Sequence, residues 1–130
     1  MGREITEIGK LDIGSCVIVN EEPCRITKKS DASPKKGENE KEKVYVEGIF
    51  DGQKRTFVKS SEEKVEVPII ERKDAQILAI MGDRAQLIDL SSYEIFETPI
   101  PLEFRGEVEE GDEVEYIQAL GRKKIERKKI

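Results

Sequence analysis

The chain has 130 residues, of which 39% are charged, 36% hydrophobic and 5% aromatic, with no His, no Trp and a formal net charge of −5. That length suits one domain or two very small ones, and the missing His excludes Ser-His-Asp catalysis, a His proton shuttle and His metal ligands, while two Cys cannot build a four-thiolate zinc site. No apolar run approaches the ~18 residues of a membrane span, residues Met1 to Lys10 carry no signal-peptide core, and the negative charge argues against a general nucleic-acid coat, so a cytoplasmic, reduced setting without membrane contact is expected.

In chain order the pattern predicts many short strands. Arg3–Ile8 opens with Ile5 and Ile8 among polar residues. Cys16–Val19 is a β-branched run, Glu21-Glu22-Pro23 interrupts it, and Cys24–Lys29 resumes an extended pattern. A hairpin turning near Glu21–Glu22 sets Val19 against Cys24 and Cys16 against Thr27, so the two thiols are expected to stay unbridged. Val44–Phe50 and Arg55–Lys59 flank Asp51-Gly52, a strong hairpin signal. Lys64–Ile70 alternates up to Pro68, which cannot donate to a ladder and so ends the strand or lies on an edge.

A second series follows. Ala75–Met81, the Gly82-Asp83 turn, Ala85–Leu90, the Ser91-Ser92 turn and Tyr93–Pro99 give three strands; Val114–Leu120 and Lys123–Arg127 give two more around Gly121. The stretch 101–110 has room for one short helix at most. Strands at such intervals predict small β barrels or sandwiches, with a seam near Pro68–Lys73. No internal repeat relates the halves.

Charge is unevenly placed. Residues 103–115 carry seven acids against one Arg, and residues 122–130 carry six bases against one Glu. The acidic stretch lacks the spacing of a calcium loop and reads as a solvated turn. The basic tail either contacts phosphates or balances the neighbouring acids. Residues 29–43 (KSDASPKKGENEKEK) contain no apolar residue except Ala32 and read as a long polar loop, with Lys35 and Lys36 at its tip. Neither a Gly-rich phosphate loop nor an identifiable acid/base pair is present.

Six stretches together resemble the archaeal form of the translation initiation factor 5A family: Gly9–Val19, Glu22–Ile26, Gly48–Thr56, Val65–Ile70, Ala75–Asp89 and Val114–Leu120. The resemblance implies an all-β chain. Residues 1–68 would form an N-terminal SH3-like barrel carrying the lysine loop, and residues 69–130 a C-terminal OB-fold barrel. It implies a factor that is not an enzyme, related to bacterial elongation factor P, binding the ribosome and peptidyl-tRNA as a monomer or weak dimer. Such factors promote peptide bonds at stalled sequences through a lysine-tipped loop. No cofactor is expected beyond hypusine, formed on the family's lysine by deoxyhypusine synthase.

An ungapped alignment from Cys24 to Phe50 puts Lys36 at the modified position, with Ser33 and Pro34 matching. Lys35, Gly37 and Glu38 stand where the family commonly has Gly, His and Gly. Phosphate contacts are expected from Lys28, Lys29, Lys35, Lys36, Lys41, Lys43, Lys54 and Arg55. The altered tip equally fits a diverged or redesigned scaffold of the same fold without hypusine. That scaffold would act as a self-associating module, as one fungal relative does, or as a weak RNA binder. The second half has only Tyr93, Phe96, Phe104 and Tyr116 to stack bases and is net acidic (14 acids, 10 bases from Ile69 onward).

Overall fold

In-and-out alternation turns the chain into strands wherever β-branched residues recur every second position. The computed structural model describes residues 2–32 and 41–129, and the chain divides into two compact units, Met1–Ile69 and Ile70–Ile130.

The first unit contains β1 (Arg3–Glu7), a 3-10 turn (Ile8–Lys10), β2 (Cys16–Val19), β3 (Glu22–Asp31), β4 (Lys41–Gly48), β5 (Lys54–Ser60) and β6 (Lys64–Pro68). Strands β2-β3-β4-β5 form an antiparallel meander, and β1 pairs with β6 in a separate ribbon. This is the SH3-like barrel. Its core is Ile8, Val17, Cys24, Ile26, Val44, Val46 and Val65. Each fully buried Val or Ile contributes about 1.5–3 kcal/mol. Pro68 is the last residue of β6, opposite Arg3.

Two expectations need correction here. The β2–β3 turn is Asn20-Glu21, both at positive φ (51° and 64°), so Val17 faces Cys24 and Cys16 faces Arg25. Asn tolerates the left-handed region, which lets a two-residue turn form one position earlier than expected. The thiols still form no disulfide. Residues 29–43 are also not all loop. β3 runs to Asp31 and β4 starts at Lys41, with Ser30 opposite Lys43 and Asp31 opposite Glu42. Backbone pairing, together with the Lys29–Glu42 ion pair at 3.0 Å between the two strands, extends them without apolar residues.

The second unit contains β7 (Glu71–Met81), β8 (Arg84–Asp89), β9 (Ile95–Pro99), a 3-10 turn (Leu102–Phe104), β10 (Glu113–Ala119) and β11 (Arg122–Lys128). The sheet order is β11-β10-β7-β8-β9. Thr98 on β9 donates to the Lys123 carbonyl on β11 at 3.2 Å, bringing the outer strands together and giving the five-stranded OB-fold barrel. β7 begins at Glu71, four residues before its apolar run, because Glu71–Gln76 pair with β10. The core comprises Ala75, Ile77, Ala85, Leu87, Ile100, Val108, Val114, Tyr116 and Ile125. Two small cores thus share a thin apolar supply.

Candidate nucleic-acid interface on the first unit

Val44 and Val46 on β4 are buried, which turns Lys43 and Tyr45 to the outer face of the sheet. On β3 a bulge between Ile26 and Lys28 leaves Thr27 as the extra residue, and both Thr27 and Lys28 are exposed. Lys28 therefore pairs with Tyr45 across the ladder. The Lys28 and Lys43 ammonium groups lie 5.2 Å and 5.3 Å from the centroid of the Tyr45 ring. Each such contact is worth ~0.5–1 kcal/mol at an exposed site. A hydrogen bond with Lys43 pulls the Tyr45 phenol below its ordinary pKa against the opposing effect of burial, helped by the charges of Lys43 and Lys28 and by Ser30. Lys41 and Lys54 are exposed on β4 and β5.

Lys29 and Arg55 are placed differently. Lys29 pairs with Val44 in the ladder and points inward. Its ammonium donates to the Leu11 carbonyl at 2.6 Å and the Ile8 carbonyl at 3.3 Å and pairs with Glu42 at 3.0 Å. Arg55 clasps Asp51 at 2.7 Å and 3.3 Å, with the Cys24 sulfur 3.9 Å away. The bond to Asp51 pushes the Arg55 pKa up. Burial pushes the Cys24 thiol up, partly opposed by Arg55. Both cations are committed to holding the barrel together. Lys35 and Lys36 lie outside the described residues.

The Asp51–Arg55 clasp also explains Gly48. A Cβ at that position would overlap the Asp51 carboxylate and come within 3.1 Å of the Arg55 guanidinium. Gly48→Ala is expected to lower stability by about 1–2 kcal/mol through crowding and a loosened clasp, read as a drop in thermal midpoint.

The basic tail resolves in favour of balance. Arg127 pairs with Glu115 at 3.3 Å, Lys128 with Asp112 at 3.3 Å and Lys129 with Asp74 at 3.0 Å. Among its described residues the second unit presents no aromatic platform for single strands. The Phe96 and Tyr116 rings meet at a tilt of 49° with centroids 4.8 Å apart, Phe104 packs on the core, and Tyr93 alone of its four aromatics stands out. Among the described residues no group of His, Cys, Asp or Glu could hold a metal ion, and no helix is long and apolar enough to cross a membrane.

Tyr45 is the residue that sequence reasoning missed. Its signal was the run Lys43-Val44-Tyr45-Val46, where alternation sends Lys and Tyr to one face.

A family model described as eukaryotic elongation factor 5A hypusine, DNA-binding OB fold, matches residues 69–129. Translation initiation factor 5A of Methanothermobacter thermautotrophicus is 48% identical over 129 residues, covering 99% of each chain. That of Archaeoglobus fulgidus is 42% identical over 125 residues, covering 96% of this chain and 98% of its own. The solved structure of the eukaryotic translation initiation factor 5A from Methanococcus jannaschii superposes with a TM-score of 0.90 at 44% identity, covering 98% of this chain and 96% of the other.

Proposed function

The chain belongs to the translation initiation factor 5A family, whose members are translation factors and not enzymes, and from that premise we propose that it acts in the cytoplasm on the ribosome, promoting peptide-bond formation at stalled sites. Lys36 is the working residue, carried between β3 and β4 and modified to hypusine by deoxyhypusine synthase. The mechanism is positional. Lys36 steadies the acceptor end of peptidyl-tRNA, so that part of the entropic cost of aligning the reactants is met before the chemical step. Lys28, Lys41, Lys43 and Lys54 supply phosphate contacts from the exposed strands below.

The observation that carries this reading is the β3–β4 ladder. It is paired out to Asp31 and Lys41, with Ala32 bonded back to the Lys41 carbonyl at 2.8 Å. The segment holding Lys35 and Lys36 is therefore bracketed by fixed strands that expose further lysines.

In a reconstituted translation assay on a consecutive-proline template, Lys36→Ala is expected to lose at least about tenfold of the rate gain, or ~1.4 kcal/mol of barrier, with an unchanged melting curve. Intact mass of the protein from its native host should show a gain at Lys36. Equal activity of wild type and variant would overturn the Lys36 assignment and favour the scaffold reading.

A further inference from the structure

We propose that β1 is a self-association edge, on which a second copy of this chain pairs its own β1 antiparallel about a two-fold axis at Ile5. The inference is separate from the Lys36 assignment, since it uses no residue of β3 or β4 and no ribosome.

β1 is one strand of a two-stranded ribbon and pairs with β6 alone. An antiparallel ladder alternates between residue pairs that exchange backbone hydrogen bonds and pairs that do not. Two bonds fix the phase here. Ile69 donates to the Gly2 carbonyl at 2.8 Å, and Ile8 donates to the Glu63 carbonyl at 2.9 Å. Counting inward from both, Glu4 and Thr6 bond to β6, and Arg3, Ile5 and Glu7 do not. Pro68, which has no N–H, stands opposite Arg3, as this phase requires. The N–H and C=O groups of Arg3 and Ile5 and the N–H of Glu7 therefore point away from β6. Among the described residues no turn or loop bond takes them up. Ile5, at the centre of this row, is 69% exposed.

An open strand edge is a template for another strand, and proteins commonly guard it with Lys or Pro. β1 carries neither, and its sequence Arg3-Glu4-Ile5-Thr6-Glu7 complements itself when reversed. Antiparallel pairing about Ile5 sets Arg3 opposite Glu7 of the second copy, Glu4 opposite Thr6, and Ile5 opposite Ile5. Opposite charges then meet twice and no like charges face each other directly. A parallel approach sets Arg3 on Arg3 and Glu7 on Glu7, and a shift of two residues sets Ile5 against a charge. The side chains thus select one direction and one register.

The Arg3 guanidinium already holds Glu21 and Glu66, so it is ordered before a second copy arrives. Lys64 stands opposite Glu7 on β6. This face carries Arg3 and Lys64 against Glu7, Glu21 and Glu66, so no large like charge opposes the approach. Pairing joins the ribbons in the order β6-β1-β1-β6. Two backbone bonds form between the Ile5 residues, and one runs from each Glu7 N–H to the Arg3 carbonyl opposite. The contact is isologous and closes at two copies.

The test is sedimentation equilibrium of the nuclease-treated, full-length protein from about 10 µM to 1 mM. Wild type should pass from monomer to dimer within that range, as a short contact does, with no larger species. Ile5→Pro removes both N–H donors at the axis and no bond to β6. It should weaken the dimer about thirtyfold, the worth of two hydrogen bonds, with a thermal midpoint near that of wild type. Glu7→Lys sets like charges against Arg3 and should weaken it about fivefold at low salt, and less at high salt. Cross-linking reads the geometry separately. Residues that exchange backbone bonds have Cα atoms ~5.5 Å apart, within the span of a disulfide. Ile5→Cys should therefore form an intermolecular disulfide under mild oxidation. Ile13→Cys, at 65% exposure, should not, and neither should wild type.

A wild type that stays monomeric up to about 1 mM overturns the proposal. So does an unchanged dimer in Ile5→Pro, or cross-linking of Ile13→Cys as readily as of Ile5→Cys. Should Ile5→Pro also lower the melting midpoint, Glu7→Lys and the two Cys variants decide by themselves.

Discussion

Asp89→Ala lowers the stability of the second unit by about 3 kcal/mol near neutral pH, and the loss fades in acid. Asp89 is 2% exposed and shapes the connection between β8 and β9. One carboxylate oxygen accepts the backbone N–H groups of Ser91 and Ser92, each at 2.8 Å. The other accepts the Tyr116 hydroxyl at 2.5 Å from β10, across the barrel. Burial alone would raise the Asp89 pKa. The bonds from Tyr116, Ser92 and Ser91 outweigh it and hold the group at about 2.

The sign follows from that depression. The unfolded carboxylate titrates near ~3.9, so the stabilisation is fully present above about pH 4 and disappears as pH falls toward 2. The depression corresponds to ~2–3 kcal/mol, and truncation to Ala adds the cost of stranding the Tyr116 hydroxyl. Burial and Asp89 together raise the Tyr116 pKa above its ordinary value. Its contribution is therefore present below ~10 and lost as pH rises past that value. Urea midpoints of wild type and Asp89→Asn at about pH 7, 4 and 2 check this. The gap between them should be nearly the same at about pH 7 and 4 and shrink between about 4 and 2, and a gap that stays constant down to about 2 would show that the carboxylate charge is not what the barrel uses.

Lys29→Ala costs about 2–3 kcal/mol of folding stability. Its ammonium meets two carbonyls and the Glu42 carboxylate, and the two side chains are only 15% and 24% exposed. Removing Lys29 strands a charge on Glu42, whose second oxygen is already buried without a hydrogen bond among the described residues. Removing both charges should be far milder. Lys29→Met with Glu42→Leu keeps the volume and abolishes the stranded charge, so the double variant should recover most of the loss. Thermal melts of the two single variants and the pair form the required cycle. Additive losses would mean that the pair does not act as a unit.

The strand count was legible, because β-branched alternation and turn residues carry that information locally, whereas the two barrel types came from the resemblance to the family and not from the pattern. The C-terminal tail was ambiguous in sequence because which acids face which bases depends on the pairing of β10 with β11 and β7. The lysine set around β3 and β4 was legible in composition but not in direction. Lys28 and Lys29 are adjacent and chemically identical, and only the ladder shows that one faces out and the other in. The turn at Asn20-Glu21 was not legible because Pro23 places the strongest local break signal C-terminal to it. Arg55 read as a surface cation until the fold put Asp51 and Cys24 beside it.

Thr27, the extra residue of the β3 bulge, sets a reading frame. Upstream of it Ile26 sits opposite Val46, and downstream Lys28 sits opposite Tyr45 and Lys29 opposite Val44. Were the ladder regular, Thr27 would take the place opposite Tyr45, Lys28 would turn inward and Lys29 outward. A relative without this insertion must therefore carry its outward lysine directly after the residue that stands where Ile26 does. Comparisons of basic residues across such relatives hold only when a gap is placed at the bulge. Without that gap, a retained ion pair and a retained outward lysine would each be scored as a substitution.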